Sequence, residues 1–378
     1  MTRIARLLLF AAAAVAPAAS LGVPAETVGR TAFPEPQPSW LMLLGHDAGY
    51  IYDGADGQVQ GLISHSPFTT AIVTLPSRRE AYFVDSFYSR GVRGERSDML
   101  TVVDMKDLTP KAEIPIPAKA AALRMRGHIG LLNDERHVVV FNMTPAQSVS
   151  VVDVVDRELA GEISTAGCGV IMPAGPRGFL MLCGDGTLQL IQLDADGKEA
   201  GRQRSKPFFE VEKDPVYDSV LYAGGDWLLV THDGMVRQVG ADGDRIRVGE
   251  AWSMLNDEDR EDGGKKEQWR PGGFQPFTLH RGSSLLYSLM HKGKVDTPHA
   301  NGTEIWVFDT SRRKRVGRMV LAVEASSILV SQEPTPRLYL IDKDNKLHIY
   351  DGQQLKLQRT VEKPGPGGPL LQTLTPHD

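Results

Sequence analysis

One phrase recurs along this 378-residue chain. It is an apolar strand end, usually an Asp, a polar turn, and a second strand that leads the chain away. The copies are YIYDGADGQVQGLI (50–63), TVVDMKDLTPKAEI (101–114), SVVDVVDRELAGEI (150–163), LIQLDADGKEAGRQ (190–203), VRQVGADGDRIRVG (236–249), WVFDTSRRKRVGRM (306–319) and HIYDGQQLKLQRTV (348–361). Their pivots are Asp53, Asp104, Asp153, Asp194, Gly240, Asp309 and Asp351, spaced by 51, 49, 41, 46, 69 and 42 residues. Short strands at a period of about 40–50 residues signal a β-propeller. A further strand pair precedes most pivots, as in EAYFVDSF, RHVVVFNM and SLLYSLMH. Two hairpins per period make a four-stranded blade. The expectation is therefore all-β: a seven-bladed β-propeller of four-stranded antiparallel blades. The pivot Asp reads as a turn residue whose side chain accepts from nearby backbone N–H groups.

The only two cysteines flank a hairpin, Cys168-GVIMPAGPRGFLML-Cys183. Its centre, PAGPRG, is turn-forming by composition. With the turn centred between Gly175 and Pro176, Met172 faces Phe179, Val170 faces Met181 and Cys168 faces Cys183. Directly opposed residues lie about 4.5 or 5.5 Å apart at Cα, which a disulfide tolerates. A cross-strand disulfide is expected in an oxidising compartment, and two buried thiols in a reducing one.

The N-terminus speaks to that choice. Arg3 and Arg6 precede an apolar run, Leu7 to Ala16, followed by small-residue cleavage patterns. Residues 1–25 read as a secretory signal peptide, leaving 26–378 as a single propeller domain. The apolar run is too short to span a bilayer. Its removal leaves 40 basic against 47 acidic residues, a net charge of −7. That balance argues against nucleic acid, which needs a basic stripe. The compartment expected is the periplasm.

Most catalytic signatures are missing. The sequence holds no Cys-x-x-Cys-His, no Gly-x-Ser-x-Gly and no His-Glu-x-x-His. NDEDREDGG (256–264) is acidic, but its glycine comes too late for an EF-hand loop. The ten histidines are scattered, and HKGKVDTPH (291–299) reads as a polar surface connection. No catalytic, cofactor-binding or metal-binding residue is assigned to this chain. Two segments break the rhythm: SRGVRGERSDM (89–99), and the charged, glycine-rich stretch 253–277 inside the 69-residue interval. Long loops on a rigid scaffold carry function disproportionately.

AWSMLNDEDRED (251–262), WRPGGFQ (269–275), LHRGSSLLYSLMHKGK (279–294), EIWVFDTSRRKRVGR (304–318) and SRGVRGERSDMLTVVD (89–104) resemble the large (heavy) chain of the periplasmic quinoprotein amine dehydrogenases. AGCGVIM (166–172), FLMLCGDGTL (179–188) and RSKPFFEVEKDP (204–215) look closer to aromatic amine dehydrogenase than to methylamine dehydrogenase. The resemblance implies a seven-bladed propeller in a heterotetramer of two large and two small chains. It places the cofactor, tryptophan tryptophylquinone, and the catalytic base on the small chain, with electrons passing to a blue-copper protein. The large chain is then a non-catalytic scaffold, and a cysteine pair at this place is a family feature.

On this resemblance Tyr50, Arg93, Arg96, Trp269, Arg270 and Pro271 are candidate subunit-interface or channel positions. One departure stands out. The family's longer first-blade hairpin loop brings an aromatic residue to the substrate channel. Here the loop from Gly45 to Gly49 is short and has no aromatic, and Tyr50 is the nearest. The alternative is a stand-alone periplasmic propeller that binds or scaffolds without redox activity. A propeller hydrolase is a third reading, and it would need carboxylates and a metal on the axis.

Overall fold

Each repeat folds as an antiparallel meander because alternating apolar residues leave one set of side chains to bury between neighbouring sheets. The computed structural model describes residues 32–121, 123–143, 145–260, 267–365, 368 and 370–375. The signal-peptide reading lies outside them, as do residues 261–266 of the long insertion.

The first sheet joins the two ends of the chain. Its order is β29 (Leu370–Thr373), β1 (Trp40–Leu44), β2 (Ala48–Asp53) and β3 (Val59–Ser64). The second runs β4 (Ile72–Leu75), β5 (Glu80–Tyr88), β6 (Arg96–Asp104) and β7 (Thr109–Pro115). The third runs from β8 (Ile129–Leu131) through β9 (His137–Asn142) and β10 (Ser148–Asp153) to β11 (Glu158–Ser164). The fourth contains β12 (Cys168–Ala174), β13 (Gly178–Cys183), β14 (Leu188–Leu193) and β15 (Glu199–Arg204). In the fifth, β16 (Leu221–Tyr222), β17 (Trp227–Val230), β18 (Met235–Asp242) and β19 (Arg245–Val248) are joined by β20 (Trp252–Ser253), which also pairs with β18.

The rest of the chain corrects the seven-blade expectation. The protein is an all-β propeller, but only these five sheets are separate blades. The strands β21 (Gln268–Pro271), β23 (Leu285–Gly293), β24 (Gly302–Asp309), β25 (Lys314–Val330), β26 (Arg337–Asp342), β27 (Leu347–Asp351) and β28 (Leu357–Val361), with β22 (Phe277–His280) paired to β23, form one eight-stranded sheet. The pivots Asp309 and Asp351 both lie in it. The cause is β25, 17 residues long. Beyond Gly317 its sequence RMVLAVEASSILV contains no Gly or Pro, so nothing breaks the strand where a blade-to-blade turn was expected. Its first part alternates exposed and half-buried, and Ile328–Val330 are buried.

The pivots behave as turn residues. Asp53, Asp104, Asp153, Asp194, Asp309 and Asp351 each accept backbone N–H groups two to four residues ahead through Oδ1. Gly240 does not. It lies inside β18 opposite Arg247, and the turn of that repeat is at Gly243, two residues beyond the strand pairing Ala241 with Ile246.

Strand direction sorts the connections onto two ends of the ring. Turns within the first and last hairpins of each meander form a turn face. Connections between the middle strands, and from one meander to the next, form a loop face carrying every long segment. Neighbouring innermost strands are tied together by Gln275, whose Nε2 donates to the Ile328 carbonyl at 3.2 Å and whose Oε1 accepts from Leu371 N at 2.9 Å. Gln372 bridges β29 to the Ile72 carbonyl at 3.0 Å.

Candidate functional site

The Cys168–Cys183 hairpin forms a disulfide at the loop-face end of β12 and β13, as the sequence led one to expect. The inner register differs from the expected one. Pro173 faces Phe179 and Ile171 faces Met181, because the turn spans the three residues 175–177 rather than closing between two. A bulge at Val170, with φ at 61°, absorbs the extra residue and brings the cysteines back into opposition.

Tyr50, Arg93, Arg96, Trp269, Arg270 and Pro271 all fall on the loop-face side, but in three separate places. Tyr50 sits on β2 opposite Leu43 and Leu62, its half-buried ring against Gly365. The β1–β2 connection beside it is Gly45-His46-Asp47, closed by Gly45 N to the Ala48 carbonyl at 2.8 Å. Arg93 is exposed in the tight turn between β5 and β6. Arg96 is an anchor. Its guanidinium bonds both Asp98 oxygens at 2.7 Å and the Lys119 carbonyl at 2.6 Å.

Sequence reasoning missed what Arg96 belongs to. Asp85 is buried and accepts from Thr101 Oγ1 at 2.6 Å and from the Thr69 hydroxyl. Lys119, 1% exposed, donates to the carbonyls of Phe68 and Ala120 at 2.7 and 3.2 Å. Burial pulls its ammonium down to about 8, against the opposing pull of Asp98 and Asp85. Only a three-dimensional contact could reveal this, since a lone lysine in IPAKAAA carries no local signal.

Trp269, Arg270 and Pro271 are consecutive on β21 and face different surroundings. The Arg270 side chain is almost fully buried, paired with Asp233, and donates from Nε to the Gly293 carbonyl at 3.3 Å. Pro271 accepts the Tyr217 hydroxyl at 2.8 Å, and the Tyr217 ring lies 4.4 Å from that of His232. His291, expected on a surface connection, is 4% exposed, with Nε2 3.0 Å from Thr297 Oγ1; His299 is exposed as expected. Burial and then the neighbouring Arg270 cation lower the His291 pKa. For His232, burial is followed by His299 and Arg270 in the same direction, against Asp233. These bonds fasten β21 to the connections 231–234 and 294–301. They leave two polar groups, His232 and Asp233, half-buried at the surface.

Trp269 belongs to a ladder on the outer side of the same sheet. Arg318 lies 4.6 Å from the Trp269 ring and 5.0 Å from Trp306, with Arg315 4.2 Å from Trp306. Glu304 accepts from Trp306 Nε1 at 2.8 Å and from Arg318 Nη2 at 2.8 Å. The insertion docks here through Arg315 to Asp259 at 2.8 Å, where Asn256 and Asp259 cap each other's backbone N–H groups. Among the described residues, no group of three or more His, Cys, Asp or Glu is placed to hold a metal ion.

Of the large apolar side chains exposed among the described residues, Phe87, Val92, Leu123, Met143, Phe274 and Val295 lie on the loop face, and others, such as Val59, Leu159, Val320 and Leu357, lie on the outer strands. The fold defines an all-β propeller. The profile of the methylamine dehydrogenase heavy chain (MADH) matches residues 42–375, and the chain belongs to that family. The methylamine dehydrogenase heavy chain of Methylophilus methylotrophus is 26% identical over 320 residues, covering 84% of this chain and 77% of its own. That of Paracoccus versutus is 26% identical over 334 residues, covering 87% and 76%. Among solved structures, a periplasmic gluconolactonase of Pseudomonas aeruginosa superposes with a TM-score of 0.60 at 16% identity, covering 88% of this chain and 98% of that one. At that identity the likeness is one of fold.

Proposed function

We propose that this chain is the large scaffold subunit of a tryptophan tryptophylquinone-dependent amine dehydrogenase. It acts in the periplasm on primary, aromatic amines, with electrons passing to a blue-copper protein. The observation that carries the reading is the family match over residues 42–375. The quinone and the catalytic base would belong to a small partner chain, two of each subunit assembling together. The small chain would seat on the loop face, whose apolar residues supply contact area while the Arg270 and Arg96 networks hold the loops in place. The partner's quinone supplies the redox chemistry, and this chain supplies position.

A stand-alone binding propeller is the second reading. It is favoured by the three-residue β1–β2 connection, which offers no aromatic to a substrate channel. Purification from the native periplasm under mild conditions separates the two. A small co-purifying chain with quinone absorbance, bleached by an aromatic amine, is the expected result. A lone colourless chain without amine-dependent dye reduction would overturn the enzyme reading.

A further inference from the structure

A crevice of about 610 Å³ opens beside the fifth sheet at its loop-face end. The connection from β15 to β16 stands over it and leans on the fourth sheet, where Phe208 N donates to the Gly186 carbonyl at 2.9 Å. The register explains the floor. Val216 bridges to Thr231, Thr231 N donates to the Met235 carbonyl across the β17–β18 turn, and Leu229 faces Arg237. Alternate residues of a strand share a face, so Val216, Leu229, Thr231, Met235 and Arg237 line one space. Phe208 and Phe209, half-buried with ring centroids 5.0 Å apart, wall it on the side of the connection.

The charges stand at opposite corners of that floor. Glu210 and Lys213 are exposed on the rim and pair with each other at 2.7 Å. Asp214 and Arg237 are left. Asp214, half-buried, accepts from Asp233 N at 2.8 Å at the tip of the β17–β18 turn. Burial raises its pKa against the bonds from Thr231 and Asp233 N, so its charge is under-compensated. Arg237, also half-buried, donates from Nη1 to the Gly249 carbonyl at 2.6 Å and stands 5.5 Å from the Phe208 ring. Among the described residues neither Asp214 nor Arg237 forms an ion pair, and both line the crevice.

An apolar floor separates the two. Asp214 is level with the turn tip and Arg237 with Leu229, about four residue rises and up to two strand spacings away, or roughly 13–16 Å. A free amino acid cannot span that distance. An extended chain advances ~3.3–3.6 Å per residue, so about three residues with an ionic contact at each end fill it. The crevice volume lies within the roughly 300–1,000 Å³ of ligand sites.

We propose that this crevice binds a short, extended apolar peptide of about three residues, its α-ammonium on Asp214 and its terminal carboxylate on Arg237. The side chains lie on Val216, Leu229 and Met235 and against the two phenylalanines. Every group of the site belongs to this chain, so binding needs neither the small subunit nor its quinone.

The test is calorimetric titration of the purified protein with the tripeptide Ala-Phe-Ala. Its N-acetyl and C-terminal amide forms each delete one charge, and free phenylalanine keeps both charges at too short a spacing. The free tripeptide is expected to bind, and each of these three to bind about tenfold more weakly or worse, the value of a hydrogen bond to a charged group. Two variants assign the ends. Asp214→Asn should weaken the free tripeptide about tenfold and leave the N-acetyl form unchanged. Arg237→Gln should weaken the free tripeptide equally and leave the amide unchanged. A side chain that only held the fold would weaken every form alike. No binding of Ala-Phe-Ala at millimolar concentration would overturn the proposal. So would equal affinity for the free and blocked peptides, or variants that weaken free and blocked forms equally.

Discussion

At the scale of single residues, the chain divides into positions whose chemistry is local and positions whose chemistry depends on distant neighbours. The Cys168–Cys183 pair is local. Its loop of 15 residues sets an upper bound near about 3 kcal/mol on its contribution. The double variant Cys168→Ser/Cys183→Ser should lower the urea midpoint by a corresponding amount, and added reductant should leave that variant unchanged. The opposed cysteines were readable because one error cancelled another. The three-residue turn shifted the inner register, and the Val170 bulge shifted it back, and neither can be read from composition. His128 is the opposite kind. It stacks on Phe141 at 5.3 Å and is 3% exposed, with its Nδ1 unpartnered. Burial, then the Lys119 cation, push its pKa down to about 4. An unfolded histidine protonates near about 6.5. Below that pH the unfolded chain takes up a proton that the folded chain refuses. Stability from this group is therefore complete above 6.5 and lost progressively towards 4, by about 3 kcal/mol at most. His128→Phe should flatten the acid limb of stability between pH 6.5 and 4, read by chemical denaturation at a series of pH values.

At the scale of elements, the Asp-headed turns were legible and the strand between two of them was not. An Asp followed by polar residues announces its turn whatever surrounds it, because the bonds it makes lie within four residues. Gly240 misled because the true turn, Asp242-Gly243-Asp244, comes two residues later with the same letters. The continuity of β25 depends on the lack of any breaker, a weaker signal than a breaker's presence. The outer ladder of the eight-stranded sheet was hidden as well, since Trp269, Glu304, Trp306 and Arg318 meet only across strands. That ladder gives a direct expectation. Glu304 is 6% exposed, and Arg318 keeps its carboxylate low against the burial that would raise it. Arg318→Ala leaves that charge short of a partner and uncovers two indoles. It should cost about 2 kcal/mol, the range for a charged hydrogen bond. The loss should exceed that of Arg312→Ala, whose side chain is 79% exposed. Thermal or urea unfolding of both variants makes the comparison.

At the scale of the whole molecule, the propeller class was visible from the period, but the number of separate blades was not, because the spacing counts turns rather than sheet boundaries. What the period cannot show is how the ring closes. Here the N-terminal β1 lies between β2 and the C-terminal β29, and Gln275 and Gln372 tie that last strand to its neighbours. Removing residues 370–378 should expose β1 as an open edge and delete the five buried residues Leu370, Leu371, Gln372, Thr373 and Leu374. The truncated chain is expected to aggregate or unfold several degrees earlier, as measured by light scattering and differential scanning calorimetry. The same closure sets an order in time. The Cys168–Cys183 hairpin and the four internal blades can form as soon as their own segments emerge, since each needs only local pairing. The first blade must wait. Its β1 leaves the ribosome long before its partner β29. Until β29 docks on β1 the finished ring does not exist, and the chain remains a row of unlatched sheets.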